Sequence, residues 1–190
     1  MVQRCEWANF NSQMKEYHDK EWGVPQHNDL VLFEFLILEG MQAGLSWNTI
    51  LNKRENFREA FDEFNYHKIA KYGEDKIEKL LENKGIIRNR LKINSVVSNA
   101  KAFINVIKEY GSFSKYIWNF VNYKPIHNAW NSLSELPSHT GLSDIISKDL
   151  KKRGFKFIGS TIIYAFMQAV GLVNDHLVSC FRFNEIKKMY

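Results

Sequence analysis

The sequence predicts an all-α fold in a single domain over residues 1–190, and three observations carry that expectation. Apolar residues recur at helical spacing in "DKIEKLLENKG", "RLKINSVVSNAKAFINVIKEYG", "SDIISKDLKKRG" and "GSTIIYAFMQAVG". The period-two alternation of a half-buried strand is not sustained in any segment. Only three prolines and ten glycines occur, and they fall at the joints between the periodic stretches rather than in linkers.

Composition bounds the class of protein. With 45% apolar and 14% aromatic residues, a chain of this length buries a core without a covalent staple. Its longest apolar stretch, "LVLFEFLILEGMQAGL", is broken by Glu34 and Glu39, short of the roughly 18 uncharged residues that a membrane helix needs. The start, "MVQRCEWANF", has no apolar h-region and no small-residue cleavage site, so a reducing cytoplasm is the expected compartment. The net charge of +5 modestly favours an anionic partner.

Taken in order, the first 22 residues are crowded with Trp7, Tyr17 and Trp22. Such rings fill cores by default, yet their polar atoms also suit a pocket that stacks a flat ligand. The helix after Asn28 is apolar nearly all round, the mark of a buried central helix. On a helical wheel Leu32, Phe35, Leu36 and Ala43 cluster with Glu39 among them, while Glu34 points the opposite way, toward solvent. A carboxyl on the apolar face is costly unless it is paired, protonated or facing a ligand. Glu39 therefore either pairs with a buried basic group or serves as a pocket acid, and Trp47, just past the helix end at "QAGLSW", favours the pocket.

The stretch "KDLKKRGFKFIGSTIIYAFMQAVG" reads as two helices around a turn bounded by Gly154 and Gly159, the second starting near Ser160. Free N–H groups at that helix start can hold a phosphate, with Lys151, Lys152, Arg153 and Lys156 around it. Over about residues 143–170 this resembles a helix-hairpin-helix element; an ordinary helical hairpin with a solvated basic face is the alternative.

The two cysteines pose a separate question. His176 and Cys180 stand four apart in "GLVNDHLVSC", and Cys5 precedes His18 by thirteen residues. On a helix, i and i+4 share a face and bring imidazole and thiolate onto one ion. Two Cys and two His form a common closed set for structural zinc. Inert buried thiols are the other reading, and a disulfide is disfavoured without a secretion signal. His27, His67, His127 and His139 sit in polar surroundings and are assigned no role.

Across nearly the whole chain, "RCEWAN", "YHDKEWGVP", "LFEFLILEGMQAGLSWNTIL", "KRENFREAF", "GIIRNRLKI", "KKRGFKFIGSTIIYAFMQAVGLVNDH" and Cys180 resemble the 3-methyladenine DNA glycosylase I family of helix-hairpin-helix glycosylases. The resemblance implies hydrolysis of the N-glycosidic bond of 3-methyladenine in alkylated double-stranded DNA, leaving an abasic site. It implies one structural Zn2+ on Cys5, His18, His176 and Cys180, tying the termini together. It places the base pocket on Glu39, Tyr17, Trp22 and Trp47 with Trp7 lining it, and Glu39 as the catalytic candidate. Gln42, Ala43, Gly44 and Leu45 would enter the duplex, and Lys152, Arg153, Gly154, Lys156, Gly159 and Ser160 would meet its phosphates.

Three departures qualify the match. Met14 stands where a Tyr is common. Asn174 in "VNDH" stands where related enzymes carry a catalytic Asp, and Asp175 is expected to cap the helix that presents His176 and Cys180. Thr161 replaces the lysine of the lyases, so no Schiff base is expected. A monomer without a protein partner is implied. The competing classes are a non-catalytic, zinc-stapled module that senses damage in DNA and a helical small-molecule binder.

Overall fold

Asn11, Asn28, Asn89, Ser112 and Thr140 each turn a side-chain oxygen onto a backbone N–H that follows, and each opens a helix. The computed structural model describes residues 2–189. A 3-10 turn, Glu6–Phe10, leads into α1 (Ser12–Lys20), α2 (Asp29–Gln42), α3 (Trp47–Leu51), α4 (Arg54–Ala60), α5 (Tyr66–Ile69) and α6 (Glu74–Glu82). Then follow α7 (Arg90–Tyr110), α8 (Phe113–Asn119), α9 (Gly141–Lys152), α10 (Ser160–Ala169) and α11 (Phe181–Lys187). Among the described residues no helix is long and apolar enough to cross a membrane.

The central helix is α2, as its all-round apolar sequence predicts: every residue from 32 to 41 is buried, with α10, α7, α3 and α8 packed around it. Glu34 corrects the wheel. It is only 8% exposed, because α4 crosses that face and supplies Arg54 Nε at 2.6 Å and Arg58 Nη2 at 2.8 Å. Burial of this carboxylate is thus offset by two cations rather than by water.

The fold is not purely helical. Ile126 and His127 pair in parallel with Val173 and Asn174, forming strands β1 (Ile126–His127) and β2 (Val173–Asn174). Two residues are too few to leave an alternating pattern in a sequence.

Between α9 and α10 the chain reverses at Gly154, whose φ of +94° is disfavoured for residues with a Cβ. The turn is held from outside: Asn99 on α7 donates to the carbonyl of Lys156 and accepts from its N–H, and Ser147 on α9 donates to the carbonyl of Ile158. Beyond α10, Gly171 combines a φ of +75° with a neighbour so close that a Cβ would stand 2.5 Å from the backbone nitrogen of Pro25. That approach lets Gly23 and Gln26 donate to the carbonyls of Gln168 and Val170, docking the segment after Trp22 onto α10.

His176 and Cys180 do not share a helix. Residues 175–177 have no regular structure, a turn follows in which the Cys180 N–H donates to the Leu177 carbonyl, and Cys180 is the N-cap of α11. Asp175 does not cap that helix either; Asn128, Trp130, Tyr164 and Gln168 all donate to its carboxylate. These bonds and the β2 pairing hold residues 173–175 extended, so helix begins only after Cys180.

Candidate active site and metal centre

Four elements converge on a cavity of about 320 Å³. Met14 and Tyr17 come from α1, Glu39 and Gln42 from the carboxyl end of α2, Trp47 from the start of α3, and Ala165 and Gln168 from α10. Trp7, Trp22 and Leu136 complete the wall. The size falls within the range of pockets that enclose a small ligand. Ring contacts make the wall continuous: Tyr17 lies 5.2 Å from Trp47, and Trp7 meets Trp22 edge-on at 5.1 Å.

Glu39 is the acid in that wall. It is 3% exposed, and its Oε2 has no hydrogen-bond partner. Burial pushes its carboxyl up to about 8, so at neutral pH the uncharged form predominates. The Trp47 Nε1 is also buried without a partner. An unpaired donor and an unpaired acceptor beside one hole are costly for folding alone and are satisfied by a polar ligand. Tyr17 is held well above its usual range by burial and then by Glu39, so it is a phenol, not a phenolate.

Next to this wall, Cys5, His18, His176 and Cys180 bring their donor atoms within 4.8 Å of one another, all buried. Cys180 Sγ is 3.4 Å from His18 Nε2 and 3.6 Å from His176 Nδ1, which lies 3.8 Å from Cys5 Sγ. Each ring has its other nitrogen engaged: His18 Nδ1 on Asp19 at 2.8 Å and His176 Nε2 on the carbonyl of Trp22 at 2.9 Å. Those bonds fix the tautomers and leave one lone pair per ring aimed inward. The neighbouring Cys5 thiol holds the Cys180 thiol below its usual range. Both cysteines are free of disulfide. The cluster can hold a metal ion.

Cluster and cavity share a partition. The ring of Trp22 stands 4.6 Å from His176, and that of Trp7 stands 5.1 Å from His18.

A smaller depression of about 210 Å³ opens beside Glu39. Gln42, Ala43, Gly44 and Leu45 line one side, and Thr161, Ile162 and Ala165 of α10 the other. Leu45 is 41% exposed at its rim. The N-cap of α10 is Gly159, which has no side chain to cap the N–H groups of its first turn. Lys152 and Lys156 are exposed nearby. Arg153 is engaged instead, donating to Asp149 and Glu109 at 2.7 Å and to the Tyr110 hydroxyl.

Sequence reasoning missed Leu136 and Gln168 in the wall. Leu136 carries no signal, being one leucine in a loop. Gln168 is a polar residue in the apolar helix "TIIYAFMQA", the same anomaly that marks Glu39.

An aromatic cavity with one buried acid, set in a helical frame beside a Cys/His cluster, has the size and lining to enclose a flat polar ring. Residues 7–183 match the family model described as methyladenine glycosylase. The chain belongs to that family. It is 48% identical over 179 residues to the DNA-3-methyladenine glycosylase 1 of Escherichia coli K12, covering 94% of this chain and 96% of that one. The DNA-3-methyladenine glycosylase of Haemophilus influenzae is 51% identical over 180 residues, covering 95% and 97%. The fold matches a solved 3-methyladenine DNA glycosylase I of Staphylococcus aureus with a TM-score of 0.91 at 36% identity, covering 94% of this chain and 95% of that one.

Proposed function

We propose that this protein is a monofunctional DNA glycosylase that hydrolyses the N-glycosidic bond of 3-methyladenine in alkylated double-stranded DNA and leaves an abasic site. The observation that carries the reading is the Glu39 carboxyl, buried and unpaired in an aromatic cavity. Flipping the lesion out of the stack costs a few kcal/mol, less at a damaged pair. Methylation at N3 makes adenine cationic and a good leaving group, so binding the cation matters more than protonating it. Trp47 and Tyr17 supply cation–π attraction of about 0.5–2 kcal/mol. Glu39 supplies an acceptor to an amino edge, and beside a cation its carboxyl can release its proton to solvent and become a counter-ion.

Water attacks the sugar carbon as the bond loosens. Asn174 fits this economy: it is buried, donating to the Phe183 carbonyl and facing the His127 ring, and brings no carboxylate to the cavity. Thr161, not a lysine, borders the smaller depression, which supports hydrolysis without a Schiff base.

The turn Gln42–Leu45, exposed at Gly44 and Leu45, is the element to occupy the space left by the flipped base. Phosphates would be held by the N–H groups opening α10, from Gly159 and Ser160 onward, with Lys152, Gly154 and Lys156 close by. Arg153 orients that turn through its ion pairs rather than offering a free charge.

The metal reading is one zinc ion on Cys5, His18, His176 and Cys180. Zn–S near 2.3 Å and Zn–N near 2.0 Å in a tetrahedron put neighbouring sulfur and nitrogen donors about 3.5 Å apart, and the three separations above bracket that value. Four protein donors close the shell, so the ion supplies rigidity and no activated water. It would fasten Trp7 and Trp22 through the histidines they pack on.

The test is release of free 3-methyladenine from methylated duplex DNA under single-turnover conditions. Wild type is expected to release it, Glu39→Ala to lose at least tenfold in rate, and Glu39→Gln to retain part of the recognition. Binding of methylated DNA without release by the folded protein would instead identify a damage-sensing module.

A further inference from the structure

Besides Glu39 and Gln42, the cavity wall carries the amide of Gln168, and its surroundings fix which atom it presents. Gln168 borders the same space as Glu39, and its Nε2 donates to Asp175 Oδ2 at 2.8 Å. Asp175 is buried and takes three further donors: Asn128 Nδ2 at 2.8 Å and Trp130 Nε1 at 2.9 Å on Oδ1, and the Tyr164 hydroxyl on Oδ2. Both carboxylate oxygens are therefore acceptors, and an amide can turn only its nitrogen toward them. The usual ambiguity between the two ends of a glutamine is removed by its partner. Oε1 is the end left for the cavity, and no donor among the described residues reaches it.

This matters because Glu39 is a poor judge of hydrogen-bond polarity. Burial pushes its carboxyl up to about 8, so near neutral pH it offers a donor or an acceptor according to what arrives. Adenine derivatives carry an amino donor at C6, whereas guanine derivatives carry an oxo acceptor there. A carboxyl that can protonate accommodates either. A carbonyl oxygen locked in place accepts from the first and repels the second, leaving two acceptors face to face.

We propose that Gln168 is a specificity-determining residue of the cavity, selecting purines with an amino group at C6 over those with an oxo group, and that Asp175 is the positioning residue that fixes its orientation. The inference rests on the glycosylase reading above. It also gives a role to the buried carboxylate next to Asn174, which acts through Gln168 of α10 rather than on the sugar.

Duplex DNA treated with a methylating agent contains both 3-methyladenine and 3-methylguanine, and one chromatogram of the released bases yields their ratio of excision rates independently of the fraction of active protein. Gln168→Met keeps the length of the side chain and removes the acceptor. It is expected to lower the 3-methyladenine to 3-methylguanine ratio on the order of tenfold, the worth of one hydrogen bond, while the protein stays folded with a melting temperature lowered by the loss of one donor to Asp175. Asp175→Asn is expected to lower the ratio in the same direction by freeing the amide to rotate. The double variant should go no further than Gln168→Met, because both act through one oxygen. A ratio unchanged in folded Gln168→Met, with wild type excising normally, overturns the selector role; a ratio lowered there but not in folded Asp175→Asn overturns the positioning role. Should Asp175→Asn fail to fold, Gln168→Met alone decides selection, and Tyr164→Phe, which loosens the same carboxylate, decides positioning by the same ratio. Release of neither base by wild type would remove the glycosylase reading, and this inference with it.

Discussion

Glu39 carries its own pH signature. Its carboxyl stands at about 8 in the folded protein against an ordinary value of 4.5, so between those values the native state holds a proton that the unfolded chain has released. Stability therefore falls as pH rises through that window, by about 1.4 kcal/mol per pH unit at most. Glu39→Gln, which stays neutral, is expected to match wild type near pH 4 and to become progressively more stable up to about pH 8. Thermal melts of the pair across this range check it; a constant difference would mean that Glu39 is not buried as a neutral acid. The same residue was legible in the sequence as a carboxyl among Leu32, Phe35 and Leu36. Glu34 was misread by the same wheel, because a wheel shows one helix and the cations that bury Glu34 arrive from α4.

Helix α2 ends where the cavity begins, and its last carbonyls need partners. Lys92 on α7 supplies them: its buried ammonium donates to Met41 O at 2.9 Å and Ala43 O at 2.7 Å. Burial lowers the Lys92 pKa, yet a cation at a helix carboxyl end is favoured by the dipole as well as by the bonds. Lys92→Met is expected to destabilise the fold by about 1–3 kcal/mol by leaving two carbonyls without their donor. Denaturant unfolding of the variant measures this. The hairpin of α9 and α10 was legible from its glycines and basic run, but the fate of each charge was not. Arg153 is spent on Glu109 and Asp149; the i,i+4 spacing to Asp149 is a local pattern, but Glu109 lies on α7, far back along the chain, where no local pattern reveals it. Replacing the exposed Lys152 and Lys156 together by Gln is expected to flatten the slope of log affinity for duplex DNA against log salt by about 0.9 for each phosphate that is no longer neutralised. An unchanged slope would place the DNA elsewhere.

At the scale of the molecule, the chain's two ends meet. Cys5 and His18 come from before and within α1, His176 and Cys180 from the segment before α11, and the rings of Trp7 and Trp22 lie between them and the cavity. Elemental analysis is expected to find one zinc per chain. Cys180→Ser should lose the metal and several kcal/mol of stability, which for a chain of this size lowers the melting temperature by roughly 10 °C. Metal-free protein of undiminished stability would refute the staple. The effect should reach the cavity, because its two tryptophans rest on the ligating histidines.

By itself, the sequence determined the helical frame, the buried course of α2 and the residue types gathered at the site, since periodicity and polarity on an apolar face are local properties. The pairing of Cys5 and His18 with His176 and Cys180 was suggested by chemistry but not by distance, their spacing lying outside compact metal motifs. Only the tertiary structure decided that His176 and Cys180 do not share a helix, that Glu34 is buried by α4, and that Asp175 grips Gln168 instead of capping a helix. Each of those depends on what stands opposite a residue in space, and hydrogen bonds across α10, β2 and the segment around Trp130 leave no period in the chain that makes them.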